Sequence, residues 1–280
     1  MAIIELKEAI ILLRRIPLLW VPGIVGGFLA AVLWVTFNLS GTFFAGRLLI
    51  ICGLVVLLFT TGMLVTIKNN EGTIRTMLES GIRYYFPVLL PQLIIFFGVM
   101  LIFALVMITF SFAGFTSDTN IITALTIGFM IPTIILTFFY DTAAVFEERK
   151  VFDSLKRSIQ LVMTHITDVI AFLFVCAAVI AVIIFTLMII WEGLLYDKLE
   201  PISHYNETQL QTFTSDQLIA LIGPGGMWIT AIVLFIGIFM FLPLFYSYKA
   251  CFFRRLARTT TIIQQPTVGE YDSKGRWYKY

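Results

Sequence analysis

Two carboxylates, Asp141 and Asp168, come nearest to chemistry, because each stands at the end of a long uncharged run. Ionisable groups within membrane spans mark proton or cation pathways when they face a cavity. A structural role competes. Asp168 follows Thr164 and Thr167 and suits a first helical turn, where the positive end of the helix dipole favours a carboxylate. Asp141 has basic connector residues such as Arg157 or Arg83 as expected partners. Both lie near an interface rather than at mid-depth, which favours structure. The other reactive side chains lead away from catalysis. His165 and His204 are the only histidines, and the charge pattern below puts them on opposite sides of a membrane, so they cannot share a metal. Cys52, Cys176 and Cys251 have neither disulfide nor metal spacing; Cys251, beside Phe252-Phe253-Arg254-Arg255, suits acylation or plain burial. Thr60, Thr61 and Thr133 lie in apolar runs, where hydroxyls bond back to their own helix. No phosphate loop, HExxH or nucleophile elbow occurs. The expectation is a protein that is not an enzyme, with no catalytic, cofactor-binding or metal site.

Composition says what must position these residues. The 280 residues are 59% hydrophobic and only 13% charged, with a mean hydropathy of +0.96, against about 25% charged in an ordinary soluble domain. Six runs carry no charge: 16–46, 48–67, 84–117, 119–140, 169–191 and 217–248. About twenty apolar residues at the helical rise match the hydrocarbon thickness of a bilayer. Nothing alternates as barrel strands do, and in hydrocarbon only helices satisfy their own backbone. The expected fold class is therefore all-α: a polytopic membrane protein of six helices in three hairpins, each preceded by a cytoplasmic amphipathic helix.

Orientation follows from the basic residues. Seventeen of the nineteen fall in one alternating set of segments, and only Arg47 and Lys198 in the other. The positive-inside rule then places both termini in the cytoplasm, at the cell membrane. Between two uncharged runs lies the charged segment 141–168. Read as a helix, it sets Val151, Leu155, Ile159 and Val162 in one apolar stripe and Lys150, Asp153, Ser154, Arg157 and Gln160 on the other side. Such a helix suits the headgroup layer, and Arg14, Arg15, Arg75, Arg83, Lys150, Lys156 and Arg157 are its expected contacts there and in the sister connectors. Glu147 and Glu148, with Asp141 and Asp168, are expected in ion pairs. Anionic lipid headgroups are the expected partners, a membrane-protein partner is open, and nucleic acid is not expected.

Along the chain, residues 3–15 form a surface helix before Pro17. The spans are expected at about 17–37, 47–67, 86–113, 121–146, 168–191 and 227–248. Gly23 and Gly27 make a small-xxx-small face for close approach of another helix. Asn38, Ser40 and Gly41 make the first outer turn, and the connector 68–85 is a second surface helix, with Ile74, Met77, Leu78 and Ile82 as its stripe. Residues 114–120 form a tight outer loop, and Pro132 bends span 4. In the external segment 192–226, Thr214 and Gln217 have capping-box spacing, Gly223-Pro224 ends a short helix, and Asn206-Glu207-Thr208 is a glycosylation sequon. Residues 1–250 make the membrane domain and 251–280 a basic cytoplasmic tail, in which Asp272 to Gly275 turn a small hairpin. A unit of surface helix, span, turn and span begins near residues 3, 74 and 151. At an offset of 77, Leu78 aligns with Leu155 and Ile82 with Ile159.

The run AVFEERKVFDSLKRSIQLV resembles a broad prokaryotic group of six-span proteins. That group includes the membrane domains fused to glycerophosphodiester phosphodiesterases and stand-alone relatives of unassigned function. Glu147 or Glu148, Ser154, Leu155, Lys156, Arg157 and Ser158 match its pattern, and ELKEAIILLRRIPLLWVPGI, with Pro17 before the first span, resembles its entrance. The resemblance implies the six-span layout but no phosphodiester chemistry, since too few residues follow span 6 for a catalytic barrel. The function expected is a non-enzymatic scaffold, accessory subunit or lipid-interacting bundle. The alternative is a small permease, with Pro132 and Pro243 bending helices round a cavity.

Overall fold

The computed structural model describes residues 2–112, 119–263, 269–271 and 277–279. It is all-helical apart from two three-residue strands in the tail. Helix α1 (Ala2–Arg15) leads through a 3-10 turn, Pro17–Trp20, into α2 (Val21–Asn69) and α3 (Ile74–Phe112). Then come α4 (Thr119–Leu136), α5 (Tyr140–Phe146), α6 (Val151–Thr164) and α7 (Ile166–Leu194). Short helices α8 (Tyr196–Leu199) and α9 (Glu207–Thr212) precede α10 (Ser215–Ile263). Among the described residues five helices are long and apolar enough to cross a membrane, running 17–69, 74–110, 126–146, 166–194 and 217–259.

The first of these is two helices. Gly41 has φ 75° and ψ −178°, a conformation that needs glycine. The chain turns back there, for a Cβ on Gly26 would lie 3.8 Å from Val56, and Leu19 shares a core with Met63 and Leu64. A turn expected over several residues is thus made by one. Gly223, at φ 60° and ψ −171°, makes the corresponding break in α10. Before it, Thr214 N donates to Gln217 Oε1 at 2.9 Å and Gln217 N to Thr214 Oγ1 at 3.3 Å, the reciprocal capping box that the spacing predicts. Asn206 and Gln209 repeat the device at the start of α9.

Close helix contacts run through glycine. A Cβ on Gly23 would lie 2.5 Å from the Phe239 carbonyl oxygen, and one on Gly27 2.6 Å from that of Phe235. The small-residue face therefore admits α10 of the same chain. A Cβ on Gly81 would lie 2.6 Å from the Leu58 oxygen, and one on Gly62 would strike the Met77 oxygen. These contacts, with Tyr85 reaching the Leu54 carbonyl at 3.4 Å, draw the start of α3 across the second half of α2. Here the structure corrects the sequence reading of 68–85 as a separate surface connector. The helix continues unbroken from Ile74 past Pro87 and Pro91, with Met77 buried while Ile74 and Ile82 face outward. Close packing of Gly81 and Met77, which periodicity does not reveal, decides the face.

The buried core lies toward one end. One cluster joins Ala9, Phe139, Leu161, Val169, Phe172 and Phe252; another joins Leu13, Met63, Ile67, Val88, Val145 and Ala250. Toward the other end the helices splay. No residue in the most apolar window of α3 is buried, and 6% of that of α7 are. Helix α10 continues through Lys249 to Ile263, and Phe252, Phe253 and Leu256 are core residues, so nothing in the helix marks position 250 as a boundary. In the tail, Gly269–Tyr271 pairs antiparallel with Trp277–Lys279; the turn at 272–275 and most of the loop at 114–120 lie outside the described residues.

Alanine at Gly27, Gly62 or Gly81 is expected to cost about 1–3 kcal/mol by forcing backbones apart. Alanine at Gly98, where a Cβ would meet nothing within 4 Å, is expected to be neutral or mildly stabilising through helix propensity. Thermal unfolding in mild detergent separates the two groups.

Candidate functional site

The fourth apolar segment does not run straight. Helix α4, with Pro132 inside it, stops at Leu136; three turn residues follow, and α5 begins at Tyr140. Such a break frees backbone groups that hydrocarbon cannot satisfy. Ser158 of α6, fully buried, supplies them: its Oγ donates to the Leu136 carbonyl at 2.8 Å and accepts from Phe139 N–H at 3.0 Å. Thr142 Oγ1 donates to the Phe139 carbonyl at 2.9 Å. The break puts Asp141 in the first turn of α5, where its Oδ1 accepts from Thr142 N–H at 2.6 Å.

Asp141 faces Lys249 of α10. The ammonium lies 2.8 Å from both carboxylate oxygens, and both residues are only 5% exposed. Phe138 lies beneath the ammonium, 4.5 Å from ring centroid to Nζ, with Tyr246 at 5.7 Å and Phe245 at 6.0 Å. Aromatic faces attract a cation through their quadrupoles, so the lysine is held by charge on one side and π-density on the other. Expected partners Arg157 and Arg83 are engaged elsewhere. Arg157, 7% exposed, bonds Glu147 through Nε at 3.0 Å, and Glu147 also takes Arg149. Arg83 lies over its neighbour Tyr84.

This corrects the assignment of Arg157 to lipid headgroups, and with it the orientation of α6. Ser154, Arg157, Ser158, Leu161 and Val162 face inward, whereas Phe152, Ile159 and Met163 are exposed. The helix turns its small and hydrogen-bonding residues to the protein because the α4–α5 break and Glu147 require them there. Lys150 and Lys156 remain exposed, as do Arg14 and Arg15 at the end of α1. Arg75 is exposed and paired with Glu79 at 2.7 Å.

Further ion pairs gather at the same end. Glu148 meets Lys68 at 2.7 Å, whose hydrogen bond and charge hold its carboxyl below the usual carboxylate range. That pairing is intact at neutral pH and is lost as pH falls through the lowered value. Asp168 lies 4.0 Å from His165 and 3.9 Å from Arg255, which also pairs with the buried Glu5 of α1. Arg254 bonds the Ile67 carbonyl and, at 3.2 Å, that of Lys68. Among the described residues no group of three or more His, Cys, Asp or Glu side chains could hold a metal ion.

The family described as "Domain of unknown function (DUF7847)" matches residues 1–256, the whole helical body down to the last core residue of α10. The chain belongs to this family. No curated protein and no solved structure shows significant similarity to it. In this DUF7847 member, sequence reasoning found Asp141 but missed Lys249 and Ser158. Lys249 had a signal: it is a lone cation inside the aromatic run FLPLFYSYKACFF, where an unpartnered ammonium is unaffordable.

Asp141→Asn or Lys249→Met alone is expected to lower stability by about 3–5 kcal/mol, because the remaining charge is stranded in the interior. The double variant Asp141→Leu/Lys249→Met is expected to recover most of that loss. Additive losses in thermal unfolding would exclude a coupled pair. Ser158→Ala, which leaves Leu136 and Phe139 backbone groups without their partner, is expected to cost about 1–3 kcal/mol.

Proposed function

We propose that this DUF7847 protein is a six-span integral membrane protein of the cell membrane with both termini cytoplasmic, acting without catalysis as a scaffold, accessory subunit or lipid-interacting bundle. The observation that carries this reading is the contrast between its two ends. At the basic end, Asp141, Glu147, Glu148, Arg157 and Lys249 are consumed in holding helices together. Toward the other end, open apolar crevices separate the helices: one of about 270 Å³ between α3 and α4, and one of about 460 Å³ between α7 and α10. Surfaces of that kind suit lipid tails or another protein's spans rather than a reaction.

Six spans follow if the chain reversal at Gly41 lies at the far membrane face, since it divides 17–69 into two segments each long enough to cross and so adds one to the five long apolar helices. Helices α1 and α6 suit the headgroup layer. Each buries a mixed face against the bundle, Glu5, Ala9 and Leu13 in α1 and Ser154, Ser158, Leu161 and Val162 in α6, and exposes an apolar row, Ile3, Ile4, Ile10 and Ile11 in α1 and Phe152, Ile159 and Met163 in α6, beside Lys7, Arg14 and Lys156. Kinship with the membrane domains fused to glycerophosphodiester phosphodiesterases belongs to the same proposal. It rests on Glu147 or Glu148, Ser154, Leu155, Lys156, Arg157 and Ser158, of which Arg157 meets Glu147 and Ser158 meets Leu136 here.

A permease is the second reading, favoured by the interrupted α4–α5 segment beside a buried ion pair, an arrangement suited to transport sites. Ser158 filling the break, and Lys249 meeting both oxygens of Asp141, favour structure over passage.

Three experiments test the proposal. Single cysteines at Lys156 and Arg258 are expected to react with impermeant maleimide only from the cytoplasmic side, and one at Asn206 only from the other; any reversal removes the topology. Mass analysis in mild detergent is expected to show retained lipid or a partner protein, and proteoliposomes no solute flux. Flux that Asp141→Asn abolishes in a folded protein would install the permease instead.

A further inference from the structure

The crevice between α7 and α10 has a hydrogen-bonded polar pair at one end and a basic side chain beyond it. Ile180, Ile184 and Leu187 line one wall, and Leu234, Gly237 and Phe241 the other. From Ile180 to Trp191 the wall rises about 16 Å at 1.5 Å per residue, close to half the roughly 30 Å hydrocarbon thickness, that is, one leaflet. Its mouth is closed by a polar clasp. Trp191 Nε1 donates to Thr230 Oγ1 at 2.8 Å, and Thr230 donates to the Gly226 carbonyl at 2.8 Å. Trp191 is thus an amphipathic ring at the end of an apolar slot, the setting of an aromatic residue at a membrane interface.

Above the clasp stands Lys198 of α8. Its Nζ donates to the Ile222 carbonyl and lies over Gly225, where an added Cβ would be 3.1 Å away. Gly225 is five residues, about 8 Å, beyond Thr230 along the helix. Among the described residues, Lys198 and Arg47 are the two basic side chains outside the basic end of the protein. An ammonium has three donors, so the bond to Ile222 is compatible with a further anionic partner.

We infer that the α7–α10 crevice is a phospholipid site: one acyl chain lies between Ile180 and Trp191, and the phosphate sits on Lys198. The apolar slot selects the tail, its depth selects a chain of one leaflet, and the single cation at its mouth selects the headgroup charge. This rests on the reading that α7 and α10 cross the bilayer, and it adds the location and chemistry of one ordered lipid to that reading.

The test uses the full chain in proteoliposomes containing a phosphatidylglycerol with a mid-chain diazirine, followed by irradiation and peptide mapping. Labels are expected to concentrate on 180–191 and 230–241, above the level on the exposed α3 face at Phe97 and Leu101. Lys198→Gln is expected to lower this labelling about fivefold, the weight of one basic residue near a charged lipid. Labelling by a diacylglycerol probe, which lacks the phosphate, should be unchanged. Gly237→Leu, whose Cβ meets only the end of Leu187 at 3.0 Å, is expected to fill the slot and reduce labelling by both probes. Ile184→Trp, entering from the exposed side, gives a second blocking variant should Gly237→Leu fail to fold. Even labelling over α3, α7 and α10 would overturn the site while leaving the spans intact. Absence of label from every span would overturn the spans themselves. Protection of the crevice together with crosslinks to a second copy would assign this face to a dimer instead.

Discussion

A lysine ammonium cannot remain charged in an apolar interior without a counter-charge, and that requirement at Lys249 organises much of the basic end. The countering carboxylate, Asp141, reaches it from the first turn of α5. That turn exists because the helix ahead of it is interrupted between Leu136 and Tyr140. The interruption in turn exposes a carbonyl and an amide, and both are taken by Ser158 from α6. Each polar group is tolerable only because the next one is present. The pair therefore gives little net stability over a well-packed apolar replacement, but it links α10, α5 and α6 in one register.

Two kinds of packing meet in this molecule. At the basic end, aromatic rings interlock as in a soluble core: Phe172 stacks on Tyr248 at 4.4 Å and approaches Phe252 at 4.5 Å. Glutamates and arginines close that end from outside the apolar layer. Further along the long apolar helices the packing opens, and in hydrocarbon there would be no hydrophobic drive to close it, since lipid tails are as apolar as leucine. Contact survives there where backbones approach through glycine, as at Gly23 and Gly27 against α10. Elsewhere the helices separate and leave crevices.

Much of this was legible in the chain and some was not, for a physical reason. Uncharged stretches located the long helices, Gly23-xxx-Gly27 marked a real close approach, and Thr214-xx-Gln217 predicted its own hydrogen bonds. Periodicity failed on α6 and on the start of α3. It shows that a helix has two faces but not which solvent each face meets. In water the apolar stripe turns inward. Against a bundle needing hydrogen bonds, α6 turns Ser154, Arg157 and Ser158 inward and leaves Phe152 and Met163 outside. Asp141 could be found because it ends an uncharged run. Lys249 shows locally that it needs a counter-charge, but that Asp141 supplies it depends on a fold in which residues 108 positions apart meet.

At the offset read from the leucines, a comparable pair of buried positions lies one face over. Helix α1 buries Glu5 and Ala9, α3 buries Met77 and Gly81, and α6 buries Ser154 and Ser158. In each, a small residue follows the first of the pair by four positions, and in α3 and α6 the offset is the same 77 that aligned the half-buried leucines and the exposed isoleucines. A small side chain at that point does a different job each time. Ala9 joins the core around Phe139 and Leu161, Gly81 lets the Leu58 backbone approach, and Ser158 stands where an interrupted helix needs a donor and an acceptor. What the three share is a steric demand for little volume at one point of contact. Only α6 converts that small volume into hydrogen bonding, and it does so beside the interruption between Leu136 and Tyr140. The Ser-Leu-Lys-Arg-Ser run is on this account a signature of packing: Arg157 answers Glu147, Ser158 answers the break, and Leu155 and Lys156 lie outside both contacts.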